Sequence, residues 1–158
     1  RGPIDSSIRA EARLGVVVTT EDLSGNIRVQ NGDLGRVVVR GAVRDSLIEA
    51  GGGPLHRVFV GGDLEGSRIL AQDRLSNLHV SGDLRDSSID AGSMGGVVVR
   101  GRISDDTTDV DPDGIHALDG RFYIADASWR GWIDGATDHW FGDDDEVRAW
   151  SGESDDLT

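Results

Sequence analysis

Apolar and polar residues alternate along most of this chain, and the alternation restarts at a nearly fixed interval. Leu14, Leu34, Leu55, Leu75 and Met94 stand 20, 21, 20 and 19 residues apart. Three and five residues after each come Val17 and Thr19, Val37 and Val39, Val58 and Val60, Leu78 and Val80, Val97 and Val99. Nine residues after each stands a further aliphatic: Leu23, Val43, Leu64, Leu84 and Ile103. A third short run carries Ile48 and Ala50, Ile69 and Ala71, Ile89 and Ala91. Ile8 and Ala10 fit the same slot, and Ile27 and Val29 fit it with a one-residue deletion. The consensus is L-x-x-V-x-V-x-G-D-L-x-x-S-x-I-x-A-x-x-x.

The two-residue alternation is the period of a β-strand. One unit of about twenty residues is too short to bury its own apolar face, so it must stack on its neighbours. An antiparallel meander would alternate strand direction and turn chemistry from unit to unit, whereas every unit here reads the same way. The pattern therefore predicts an all-β fold, a single-stranded parallel β-helix (β-solenoid) of about 20 residues per coil. Residues 1–105 supply about five coils, a stiff rod roughly 24 Å long at about 4.8 Å per coil.

The corners carry their own chemistry. Gly41, Gly62, Gly82 and Gly101 share one position, where a tight bend predicts positive φ. Ser46, Ser67 and Ser87 share another, where a hydroxyl can bond nearby backbone. Arg44, Glu65 and Arg85 fall in one outward column whose alternating sign predicts weak ion pairs between coils.

The repeat V-x-V-x-G-D-L-x-x-S-x-I-x-A resembles the Gly-rich parallel β-helix repeats of large bacterial surface and secreted proteins, over about residues 4–105. More distantly it is similar to the bactofilins, cytoskeletal β-helices that polymerise end to end. The resemblance implies a scaffold, spacer or polymer.

Charge changes the picture near Asp105. Residues 1–105 hold 14 acids against 13 Arg, and residues 106–158 hold 15 acids against 3 Arg, within a net charge of −13. All four Trp lie in that last third. A locally acidic tail reads as a cation site or a solvated end, and a chain with no basic face does not read as a nucleic-acid binder. No apolar run is long enough to span a membrane, and the absence of Cys removes disulfides and thiolate metal sites. The chain begins at Arg1 without an initiating Met or a leader, which reads as a mature or trimmed fragment. Placement outside a bacterial cell or on its surface follows from the family resemblance.

Residues 106–158 read as an irregular acidic, Trp-rich C-terminal cap or contact region. Phe122 and Ile124 match the V-x-V pair and Ile133 with Ala136 the I-x-A strand, which predicts one further degenerate coil. Asp109, Asp111 and Asp113 alternate and are closed by Gly114, the spacing with which calcium loops converge carboxylates on a hard cation. Pro112 within the segment and Gly120 in place of a bidentate Glu favour an acidic turn as the alternative. Trp129, Trp132, Trp140 and Trp150 are candidates to cover the end of the rod or to touch a partner; stacking on carbohydrate is the alternative.

Parallel β-helices also carry polysaccharide lyases and hydrolases, which need paired carboxylates. Asp63 and Asp83 are neighbours in one column, and Asp45, Asp86 and Asp105 occupy another. These positions recur with the repeat, as turn chemistry does and a catalytic site does not. His56, His79, His116 and His139 show no ligand-like pairing, with His56 and His79 expected on the outside. The expectation is a non-enzymatic structural or assembly module that self-associates head to tail. A carbohydrate-binding module using the Trp cluster is the first alternative, and a polysaccharide-active enzyme the second.

Overall fold

The structure, a computed structural model, describes residues 7–104 and, beyond them, five strands between Ile115 and Trp150. In chain order the strands are β1 (Ile8–Ala10), β2 (Arg13–Thr19), β3 (Ile27–Val29), β4 (Asp33–Val39), β5 (Val43–Arg44) and β6 (Leu47–Ala50). Then come β7 (Leu55–Val60), β8 (Leu64–Glu65), β9 (Arg68–Val80), β10 (Leu84–Arg85), β11 (Ser88–Val99) and β12 (Ile103–Ser104). The last five are β13 (Ile115–Asp119), β14 (Arg121–Ala125), β15 (Arg130–Asp134), β16 (Asp138–Phe141) and β17 (Val147–Trp150).

The chain winds as a parallel β-solenoid of about five turns with roughly 20 residues per turn. Each full coil has three strand segments. A long face is built by β2, β4, β7 and the second halves of β9 and β11, in that order. A short face is built by β5, β8, β10 and β12, extended to the first coil by a bridge between Leu23 and Val43. A third face joins β1, β3, β6 and the first halves of β9 and β11. All of these pairings are parallel.

The register stacks like on like. Leu14, Leu34, Leu55, Leu75 and Met94 are consecutive partners, as are Val17, Val37, Val58, Leu78 and Val97. Ile8, Ile27, Ile48, Ile69 and Ile89 form the matching column of the third face. From Leu34 to Val80 the inward aliphatic side chains of the strands are 0–1% exposed, so the core is closed through the middle coils. Full burial of each such Leu or Ile is worth about 1.5–3 kcal/mol, and no single coil could supply that enclosure.

The third corner absorbs the variation in coil length. Leu55 stands seven positions after Ile48, Leu75 six after Ile69, and Met94 five after Ile89. The shorter corners let the backbone run through as one strand in β9 and β11, at the cost of a register shift between Ala91 and Ser93.

A sixth layer begins beyond β12, in a register that differs from the sequence expectation. Ile115 and Ala117 of β13 stack on Ile89 and Ala91 and thus take the I-x-A place. On β14, Ile124 stacks on Val97, the first residue of the V-x-V pair, so Phe122 lies two positions before that place. Ile133 is not in an I-x-A strand: β15 runs antiparallel to β14, with Ile133 opposite Phe122. Ten residues lie between Ser104 and Ile115 where three lie between Arg85 and Ile89, and this lengthening of the interval by which the repeat is recognised hid the register. β16 runs antiparallel to β13, and β17 antiparallel to β16. The parallel stack therefore passes into antiparallel pairs at its C-terminal side. No helix among the described residues is long and apolar enough to cross a membrane.

Candidate functional site

The corner between the long and short faces is held by aspartates. The carboxylate Oδ1 of Asp22 accepts the backbone N–H of Ala42 at 2.8 Å, that of Asp63 accepts Asp83 N–H at 2.9 Å, and that of Asp83 accepts Arg102 N–H at 3.0 Å. Each carboxylate thus caps the residue one coil further on. This placement explains the glycines. A Cβ at Gly41, Gly82 or Gly101 would lie 2.1 Å from Oδ1 of Asp22, Asp63 or Asp83 respectively. None of these glycines has positive φ, contrary to the sequence expectation: they are excluded by the neighbouring coil and not by their own backbone. The left-handed residues lie at the next corner, at Asp45 (φ 48°), Gly66 (φ 55°) and Asp86 (φ 45°), where Asp and Gly are the residues that tolerate it.

That same corner is lined by buried serines. Ser67 Oγ accepts the Ser46 N–H at 3.1 Å and donates to the Glu65 carbonyl at 2.7 Å. Ser87 Oγ accepts the Ser67 N–H at 3.1 Å and donates to the Arg85 carbonyl at 2.7 Å. The hydroxyls satisfy backbone groups that would otherwise be orphaned in a dry corner.

Asp63 and Asp83, the carboxylates that stand together as an acid/base pair would, are tied to main chain. The hydrogen bond from Arg102 N–H holds the Asp83 carboxyl below its ordinary value, and Arg85 adds to the effect. The Ala42 N–H, with Arg44, does the same for Asp22. A general acid at neutral pH needs the opposite shift. Because folding depresses these values, the stability they contribute is present above the ordinary carboxylate value of 3.8 and is lost as pH falls through the lower folded value. The melting temperature should accordingly fall on acidification below about pH 4, and Asp83→Asn should flatten that fall. An unchanged acid limb in this variant would remove Asp83 from the account.

Among the described residues the ion pairs lie on or beside two faces. Arg44 meets both Asp22 and, at 3.4 Å, Glu65, as the alternating column predicts, but Arg85 turns to Asp83 instead of Glu65. On the third face Arg28 pairs with Glu49, and Arg68 with Asp90 at 2.9 Å. The long face is different. Its outward positions carry Arg36 and Arg57 side by side in register, and Arg40 and Arg100 one residue beyond the inward Val39 and Val99. All four are exposed, and among the described residues none forms an ion pair. Between them the rings of Phe59 and His79 stack with centroids 5.3 Å apart and planes 3° from parallel. Burial, and secondarily the charge of Arg100, lowers the His79 pKa, so the ring favours its neutral form. A shallow groove of about 540 Å³ runs over this face. Its signal was present in the sequence, since the column L+2 reads Val16, Arg36, Arg57, Asn77.

The other candidates separate. Asp109, Asp111, Asp113 and Trp129 lie outside the described residues. Trp132 stands opposite Tyr123 on β15, while Trp140 and Trp150 stand opposite Arg148 and Asp138 in the β16–β17 pair. His56 is exposed, His116 is in register with Asp90, and His139 is opposite Ile115. Among the described residues no three His, Asp or Glu side chains cluster in a way that could hold a metal.

The fold defines the chain as a parallel β-solenoid. No protein-family profile matches it, and no characterised protein or solved structure is significantly similar to it.

Proposed function

We propose that the chain is a non-enzymatic structural and assembly module of a bacterial extracellular or surface protein, a stiff spacer that associates end to end. One observation carries this reading. Among the described residues the N-terminal strands β1 and β2 each have a parallel partner on one side only. Behind that edge Ile8, Ala10 and Leu14 are only partly buried while packing on the core. An unpaired strand edge with apolar surface behind it is a template for another chain. The opposite end carries antiparallel pairs, so the two ends differ, and contact between unlike ends grows without closing on itself.

Sedimentation velocity across a wide concentration range, with electron micrographs of the same samples, tests this. Concentration-dependent growth into rods is expected, and Ile8→Arg should suppress it while leaving the melting temperature within a few degrees. A strict monomer at high concentration, or growth that stops at a symmetric dimer, would overturn polymerisation.

A further inference from the structure

We propose that the long face binds a linear acidic polysaccharide, with Arg36 and Arg57 taking its carboxylates and the Phe59–His79 stack lying against its sugar rings. The surface is distinct from the rod ends. Its first support is the segregation of charge: the five ion pairs of the described residues all lie on or beside the short and third faces. On the long face Arg36, Arg40, Arg57 and Arg100 form none among the described residues, although Arg9 and Arg102 elsewhere form none either. Arg36 and Arg57 are direct neighbours in the parallel register, an arrangement in which like charges oppose folding. Stability gives no reason for that pair; an anion between the two guanidinium groups does, because each can bind a carboxylate through two parallel hydrogen bonds.

The second support is the half-buried Phe59–His79 pair between the arginines. Sugar rings present an apolar C–H face that an aromatic plane can cover while the hydroxyls stay in water. His79 favours its neutral form and so serves as a second ring surface. An extended polymer lying along the solenoid axis crosses one coil about every 4.8 Å. Charges repeated along the polymer then meet Arg36 and Arg57 on successive coils, with Arg40 and Arg100 at the flank. A polynucleotide is disfavoured: it calls for several exposed aromatic platforms on which successive bases stack, and among the described residues this face offers one half-buried ring pair.

Titration calorimetry of the full chain with polygalacturonate, neutral dextran and single-stranded oligothymidine tests the proposal. Polygalacturonate should bind at low ionic strength and weaken as salt is added. Arg36→Gln and Arg57→Gln should each reduce affinity about three- to fivefold, and the double variant tenfold or more. Arg28→Gln, on the third face, should leave affinity unchanged. The double variant should melt no lower than the parent, since a like-charge pair has been relieved; a purely structural role for these arginines predicts a lower melting temperature. No binding of polygalacturonate at low salt overturns the proposal. So do undiminished binding by the double variant, equal binding of dextran, and oligothymidine binding as tight with the same arginine dependence.

Discussion

Leu55→Ala is expected to destabilise the protein by about 3 to 4 kcal/mol, with a fall in melting temperature of ~10 °C for a chain of this size. Leu55 is 0% exposed and lies between Leu34 and Leu75 in the inward column. The coil above and the coil below are held at the hydrogen-bonded spacing by parallel pairing along β4, β7 and β9. They cannot close over the lost side chain, so a cavity remains. Leu14→Ala makes the same chemical change at the end of the stack, where the residue is only partly buried and has one neighbour in its column. It should cost only about 1 kcal/mol. Urea unfolding of both variants measures the difference. Equal losses at the two sites would mean that the stack does not hold its middle coils more tightly than its end.

Gly82→Ala should cost about 3 kcal/mol or more, although it adds a single methyl group. The new Cβ would meet Asp63 Oδ1 at 2.1 Å, Gly62 C at 2.8 Å and Asp63 N at 2.9 Å. Pushing the carboxylate aside breaks its bond to Asp83 N–H and leaves that donor without its acceptor. Gly62→Ala provides an internal comparison. Beneath Gly62 stands Ala42, which has no carboxylate, and the nearest atoms are backbone at 3.0–3.1 Å. Its cost should be about 1 to 2 kcal/mol. Adding Asp63→Ala to Gly82→Ala should recover only part of the loss, because the backbone contacts remain. Full recovery in the double variant would show that the side chain alone, and not the spacing of the coils, excludes a Cβ there.

These predictions also mark where the sequence was readable. The columns of Leu, Val and Ile could be drawn from spacing alone, because a solenoid repeats its environment at each turn and so repeats its residue types. The serines were legible for the same reason: a dry corner with orphaned backbone groups recurs in every coil. The corner glycines were recognised but given the wrong cause. Positive φ is a property of one residue and can be guessed locally, whereas the exclusion of a Cβ at Gly82 depends on Asp63 in another coil. The left-handed residues were missed because Asp45 and Asp86 are also ordinary turn aspartates. The sixth layer was seen but misplaced, since the residues inserted before Ile115 break the interval by which its register would be counted.

The arginine face lies between these cases. Each arginine is an unremarkable outward residue in the sequence, no different there from Arg28, Arg44 or Arg68, which meet acids. Only the folded register shows which of them meet an acid and which do not. Composition and period thus decided the class of fold, the number of full coils and the inward columns, because burying aliphatics in a repeat this short admits one solution, stacking. Tertiary structure alone decided which carboxylate holds which coil, how the parallel stack gives way to antiparallel strands, and which arginines meet an acid among the described residues. Those depend on distances between coils, and such distances exist only once the chain is wound.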